Sequence, residues 1–253
     1  MPVKSSQSGA RILAALAKIA KHQPIGLSEL ARLLEANLAA TQRAIATLVE
    51  EGWIRAATAK PTRWELTAQI HIVAQHAFGT HDLRRRARGP LEELSKITGE
   101  TVLLNVPADG KFIVIDVVES THYVRSAPPV GLVIPARASA TAWAILPYMS
   151  ATQQLLYLRE APDRTLLNKY RWTLANGFAV SRGDVFASST NIAAPIFEVD
   201  GQPIGAVLIS LPNDRAGPKE ERRLGQLAQQ TAQRLSRATT PDRLPVPATG
   251  AMA

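Results

Sequence analysis

The 253 residues suffice for two domains of ordinary size, and a hydrophobic content of 46% supports packed cores rather than global disorder. There is no cysteine, which excludes disulfides and thiolate metal sites and fits a reducing cytoplasm. No apolar run reaches the length of a membrane span, and the opening MPVKSSQSG lacks the apolar segment of a signal peptide, so a cytoplasmic protein is expected.

The net charge of +8 is unevenly spread. Residues 1–66 hold nine Lys/Arg against five Asp/Glu, residues 67–90 hold four against one, and the rest of the chain sixteen against fifteen. Such a concentration is the electrostatic footprint of a polyanion partner.

In chain order, Ser8 to Lys21 predicts an amphipathic helix with Ile12, Leu13, Leu16, Ile19 and Ala20 on its apolar side, broken by Gln23-Pro24-Ile25-Gly26. From Leu27 to Trp53 two short helices joined by a turn follow. Leu27, Leu30, Ala31 and Leu34 form one stripe, Ser28 is placed to cap it, and Asn37 supplies the left-handed turn residue. The next helix, about Ala39 to Glu51, turns Ile45, Leu48 and Val49 inward. Arg43 and Thr47 fall on the opposite face with Ala40 beside them. Two β-rich runs, Trp53–Ala57 and Arg63–Thr67, then form a hairpin that carries Arg55, Lys60 and Arg63. A helical hairpin that only packs is the plain alternative, but a basic β-hairpin after a candidate reading helix predicts a winged helix-turn-helix. Its candidate DNA contacts are Ser28, Ala40, Thr41, Gln42, Arg43, Thr47, Lys60 and Arg63.

This reading places the DNA-binding domain at 1–67, a linker helix at 68–88, a larger domain at 89–238 and a disordered tail at 239–253. In the linker, Ala68 to Phe78 is expected to be helical, and the arginines of Asp82–Arg86 face either phosphates or solvent. His71, His76 and His81 stand five apart, about 140° between neighbours on a helix, so no metal site or other cofactor is expected.

Gly89-Pro90 punctuates the chain before a helix at Leu91–Thr98. Strands are expected at Thr101–Val106 and Phe112–Val118, joined across Asp109-Gly110, with a third at Tyr123–Ser126. A helix capped by Ser139 runs to Met149, followed by helices near Thr152–Leu158 and Asp163–Asn176, the last ended by Gly177. Strands at Phe178–Ser181, Asn191–Val199 and Ile204–Leu211 and a helix at Pro218–Ala238 complete one antiparallel α+β domain. No G-x-S-x-G or H-E-x-x-H occurs, and His122 is the only histidine beyond residue 81, so an enzyme is the minor alternative.

Five stretches in this order resemble the IclR family of bacterial transcription regulators: RILAALAK, ATLVEEGWI, ITGETVLL, PPVGLVIPARASATAWAIL and IAAPIFEVDGQPIGAVLISLP. The resemblance spans about residues 8–238. It implies a winged-helix reader, a linker helix and a GAF-like effector domain. It also implies homodimers or homotetramers on double-stranded operator DNA, more often repressing, under control of a small organic or aromatic acid. Arg43 matches the family's frequent arginine, while Glu35-Ala36 and Ala39-Ala40 stand where Gly-Leu and Ser-Thr are usual. The resemblance carries the effector pocket onto Ala140, Thr141, Ser181, Asn191 and Ser210, with free N–H groups at the helix start suited to a carboxylate. Keto-acid-binding members commonly have Asp and Cys at the positions of Ser181 and Asn191, so a different effector preference is implied. Trp143, where the family tends to have Lys, either closes over an aromatic ligand or fills core. Arg125 either meets an acid group or forms a surface ion pair.

Overall fold

The computed structural model describes residues 6–77, 80–126 and 128–237. The chain divides into two compact units, Met1–Phe78 and Gly79–Ala253. The expected tail at 239–253 lies outside the described residues.

In the first unit, helix α1 (Gln7–His22) starts at Ser6, whose hydroxyl accepts from Gly9 N. Ala15 and Ile19 are buried, with Ile12 and Leu16 at their edge. Leu13 and Ala20, expected inside, are exposed because the helix phase gives the core side to 12, 15, 16 and 19. Strand β1 (Ile25–Gly26) leads straight into α2 (Leu27–Leu33). Ser28 does not cap α2. Pairing of Ile25 and Gly26 with Trp64 and Arg63 starts the helix at Leu27, and no side chain caps it.

The turn into α3 (Leu38–Glu50) also differs from expectation. Glu35 is the left-handed residue, with φ 50°, whereas Asn37 is extended at φ −70°. Asn37 instead caps α3, its Oδ1 accepting from Ala40 N at 2.8 Å. The buried stripe is Ala40, Thr41, Ala44, Ile45 and Leu48, while Val49 is exposed. Strands β2 (Ile54–Ala59) and β3 (Thr62–Leu66) form the wing, in the sheet order β1-β3-β2. Thr67 closes the hairpin by donating to Gly52 O, and its hydroxyl accepts from Gln69 N at the start of α4 (Gln69–Ala77).

Helix α5 (Thr80–Thr98) opens the second unit and runs through Gly89-Pro90 without a break. The expected boundary at residue 88 thus falls inside a helix, and residues 78 and 79, between α4 and α5, lie outside the described residues. What carries the helix through is the stripe Leu83, Ala87, Leu91 and Leu94, at i, i+4, i+8 and i+11, all buried in one core. Burying three leucines at roughly 1.5–3 kcal/mol each outweighs the ~3 kcal/mol cost of a proline inside a helix. The arginines here are not simply solvated. Arg88 Nη1 lies 3.0 Å from Asp116 Oδ1 and Arg84 Nε 3.8 Å from Oδ2, so both answer a buried carboxylate.

The sheet of the second unit is antiparallel throughout. Strands β4 (Thr101–Ala108) and β5 (Lys111–Val118) are joined by Asp109-Gly110, both at positive φ, as a two-residue hairpin turn of this twist requires. Tyr123–Ser126 is not a strand. Its backbone is held by side chains, Thr101 donating to Ser126 O and Arg215 to Val124 O, and β6 (Val133–Ile134) pairs with β5 instead. Then come α6 (Ala140–Ile145), a 3₁₀ turn at Leu146–Tyr148, α7 (Ala151–Leu158) and α8 (Arg164–Asn176), which ends at left-handed Gly177. Strands β7 (Ala179–Arg182), β8 (Ser189–Phe197) and β9 (Pro203–Pro212) and helix α9 (Pro218–Leu235) follow.

The sheet order is β6-β5-β4-β9-β8-β7. Alternation along each strand splits its side chains between two cores. Val102, Leu104, Ile192, Ala194, Val207 and Ile209 pack with α5 and α9. Leu103, Ala193, Ala206 and Leu208 pack with α6 and α8. This is the α+β architecture expected.

Candidate nucleic-acid interface and ligand cavity

Helix α3 exposes Ala39, Gln42, Arg43 and Ala46, with Thr47 at the margin and its hydroxyl donating to Arg43 O. Gln and Arg in this setting can make bidentate contacts with adenine and guanine edges. Two expected contacts are corrected. Ala40 is only 6% exposed and Thr41 0%, because α3 begins at Leu38 and its phase turns 40, 41, 44, 45 and 48 inward. The Thr41 hydroxyl is already engaged, donating to Asn37 O at 3.0 Å.

Ser28 is exposed in the first turn of α2, and Lys60 is exposed at the wing tip. Both are free to approach phosphates. Arg63 is committed elsewhere: Nε donates to Pro24 O at 2.8 Å and Nη2 lies 3.0 Å from Glu29 Oε2, tying the wing to α2. Arg55 likewise pairs with Glu65 at 2.8 Å. Arg63 thus ties the wing to α2 while part-exposed, and Lys60 is exposed at the wing tip.

In the second unit a cavity lies between the sheet and the start of α6. The strand register explains its polar end. Ser181 pairs with Asn191, Asn191 with Ser210, and Ser210 with Thr101, so four hydroxyl or amide side chains cross the sheet in one row. Asn191 and Ser210 line the cavity, with Leu103 and Leu208 forming its apolar floor one step further along the strands. Ala140, Ser139, Val114, Leu132, Ile134 and Phe186 make much of the remaining wall. Ser139 sits at the N-terminus of α6, its Oγ accepting from Ala142 N at 3.2 Å. The cavity is small, about 30 Å³ in volume.

Three of the expected effector contacts do not line the cavity. Trp143 is core: its Nε1 donates to Arg137 O at 3.0 Å, and Lys169 Nζ lies 3.7 Å from the ring centroid. Thr141 is fully buried behind Asn105, whose Nδ2 donates to its hydroxyl at 2.7 Å. The Ser181 hydroxyl donates to Asp184 Oδ2 at 2.9 Å, inside a tight turn. Arg125 forms the surface ion pair, 3.0 Å from Glu119.

The residue that sequence reasoning missed is Asn105. It lines the cavity at 0% exposure, and its Oδ1 has no hydrogen-bond partner. The signal was present: one amide inside the apolar run TVLLNV, where a buried polar group demands a partner.

The mouth of the cavity shares Ser126, Pro128 and Phe186 with an outer groove of about 390 Å³ that also reaches Arg125. Its rim is fastened by Arg215, which grips Glu100 at 2.6 and 2.8 Å and donates to Val124 O. That ion pair, with Glu100 almost fully buried, holds the Arg215 pKa above its ordinary value. Among the described residues no cluster of three His, Cys, Asp or Glu could hold a metal, and no helix is long and apolar enough to cross a membrane.

With this geometry in view, comparison with known proteins is direct. Residues 75–237 match the bacterial transcriptional regulator IclR C-terminal domain, and residues 8–57 match the IclR helix-turn-helix domain. The transcriptional repressor IclR of Escherichia coli is 26% identical over 226 residues, 84% of this chain and 81% of the relative. An IclR transcriptional regulator from Alicyclobacillus acidocaldarius superposes with a TM-score of 0.76 at 20% identity, covering 92% of this chain and 98% of that one. An IclR homologue from Microbacterium hydrocarbonoxydans, complexed with 4-hydroxybenzoate, gives a TM-score of 0.77 at 16% identity, covering 91% and 98%. The outward Gln42–Arg43 face, the wing and the separate α+β unit thus sit in a known frame, and the chain belongs to the IclR family of DNA-binding bacterial transcription regulators.

Proposed function

We propose that this regulator is a repressor whose hold on its operator is set by a small organic molecule in the cavity of the second unit. What carries the reading is the presence in one chain of an exposed Gln42–Arg43 helix face and an internal cavity with a polar end. A single reading helix spans too few base pairs for specificity, so a homodimer or homotetramer on a repeated operator is part of the reading. A DNA operator as target makes the cytoplasm its place of action. The Microbacterium homologue holds a one-ring molecule, and Leu103, Val114 and Leu208 offer apolar surface suited to a ring of that size. The cavity is too narrow for such a ligand as it stands, so binding must select or induce a wider state. Control of DNA binding then follows if that state differs in operator affinity.

The cavity also weighs against a winged-helix protein that senses nothing. Catalysis has little support: His122 packs beside Gly99, with its backbone N donating to Ser120 Oγ.

The test is gel mobility of the promoter fragment next to the protein's own gene, across a salt series. A sequence-specific shift that weakens with salt and is released by a ligand is expected. Lys60→Ala should reduce the salt slope by about 1. Absence of any specific shift at low protein concentration would end the proposal.

A further inference from the structure

An acid-type effector raises a difficulty here. Among the described residues no Lys, Arg or His lines the cavity, and neither does any carboxylate. Several cations of the second unit are engaged elsewhere. Arg137 pairs with Glu160 and Asp163, Arg125 with Glu119, and Arg215 with Glu100, while Lys169 lies over Trp143. A carboxylate moved into this site would lose its water without gaining a counter-charge, which is the costly case. What an acid could use is the set of N–H groups at the start of α6. That helix has only 6 residues, under two turns, and Ser139 already takes the Ala142 N–H.

Asn105 points the other way. Its side chain is held in place on one side by Thr141, and its remaining amide atom is buried without a partner at the cavity wall. A buried polar atom left without a hydrogen bond is destabilising, and a ligand group that completes it binds more tightly for that reason. Turning the amide by 180° would exchange the carbonyl for the NH₂ without filling the vacancy. A hydroxyl or a primary amide, each both donor and acceptor, meets either orientation.

We propose that the cavity takes an uncharged ligand, with an apolar body against Leu103 and Leu208 and a hydroxyl or carboxamide completing the hydrogen bonding of Asn105. This deepens the effector reading and rests on it. Specificity against the matching acid follows from the apolar wall and the absent cation, and Asn105 is the specificity-determining residue.

The experiment uses the full chain and matched pairs that differ only in the charged group: benzamide and benzyl alcohol against benzoate, and butanamide against butanoate. Calorimetric titration and thermal shift at pH 7.5 should show at least tenfold tighter binding of the neutral member. Asn105→Leu should weaken binding of the amides and the alcohol at least tenfold. Because that variant alters a buried site, the wild-type protein supplies an independent reading: any benzoate binding should weaken about tenfold per pH unit above the acid's own pKa, as only the neutral form enters. Benzoate or butanoate binding as tightly as its amide, with pH-independent affinity, would overturn the neutral-ligand proposal while leaving the regulator with an effector. If no compound of any pair binds, and none alters the promoter shift, the effector reading falls and takes this inference with it.

Discussion

The two faces of the six-stranded sheet are made by the same strands, yet they differ in kind. Toward α5 and α9 the core residues of β4, β8 and β9 are Val102, Leu104, Val106, Ile192, Ala194, Ile196, Val207, Ile209 and Leu211, all aliphatic. Toward α6 the same strands alternate Leu103, Ala193 and Leu208 with Asn105, Asn191 and Ser210. One face is closed by packing, and the other leaves a cavity whose polar atoms are incompletely matched. The difference teaches which residues hold the fold and which are available to a ligand. Helix α3 repeats the division on a smaller scale, with Ala40, Thr41, Ala44, Ile45 and Leu48 inside and Gln42 and Arg43 outside.

The sharpest way to break the comparison is to truncate one residue on each sheet face. Leu104 is fully buried against α5 and α9, and Leu104→Ala should cost about 2–5 kcal/mol, through lost transfer energy and the void left behind. Ser210→Ala on the cavity face removes only a hydroxyl and should change stability by less than about 1 kcal/mol. Thermal and urea unfolding of the two variants would settle this, and equal losses would mean the cavity face is as tightly determined as the other.

On α3 the contrast is read with DNA. Arg43→Ala removes an outward guanidinium and should weaken operator binding by about 1–3 kcal/mol, roughly five- to 150-fold, with less effect on non-specific DNA. Thr41→Val keeps the buried shape and should leave the base preference as it is, since Thr41 never reaches the surface. Mobility shifts on operator and scrambled DNA separate these outcomes. A Thr41→Val change in sequence preference would place α3 in a different phase on the groove.

Much of this was legible beforehand, and the failures have physical causes. Element order was readable because period-2 and period-3.6 runs are long here, and because Asp109-Gly110, Ser139 and Gly177 mark boundaries by their own chemistry. The helix across Gly89-Pro90 was not, since local breakers lost to a tertiary stripe from Leu83 to Leu94. Ala40 and Thr41 stand four residues before Ala44 and Ile45 and so share their buried face, which is wider than the stripe of Ile45, Leu48 and Val49 expected from the sequence. The cavity was half readable. Ala140, Asn191 and Ser210, read from the sequence, line it, but the cross-strand row that aligns Asn191 with Ser210 is a matter of register, which no single strand reveals. Trp143 was ambiguous by nature: one large ring suits a ligand lid or a core equally until Arg137 O takes its N–H.

The smallest effect expected lies on the α6 side, where unmatched polar atoms gather. The hydroxyl of Tyr148, like that of Tyr170, is buried there without a hydrogen-bond partner. Tyr148 packs edge-on against Phe197 at 4.9 Å, and burial pushes its pKa from 10.0 up to about 12, because a phenolate would have to lose its water. Burial also raises that of Tyr170. The folded state thus holds the Tyr148 proton more tightly than the unfolded chain. Its contribution is fully present below pH 10 and is lost as pH rises from 10 towards 12. At pH 11 the loss from Tyr148 alone should be about 1 kcal/mol. Tyr148→Phe keeps the ring and removes both the titration and the unmatched hydroxyl. The variant should match or exceed the wild-type melting temperature at pH 7.5 and lose less of it by pH 11. A wild-type melting temperature that stays level from pH 9 to 11, or a variant that falls just as steeply, would mean that the phenol reaches water and that this side of the sheet is more open than its packing implies.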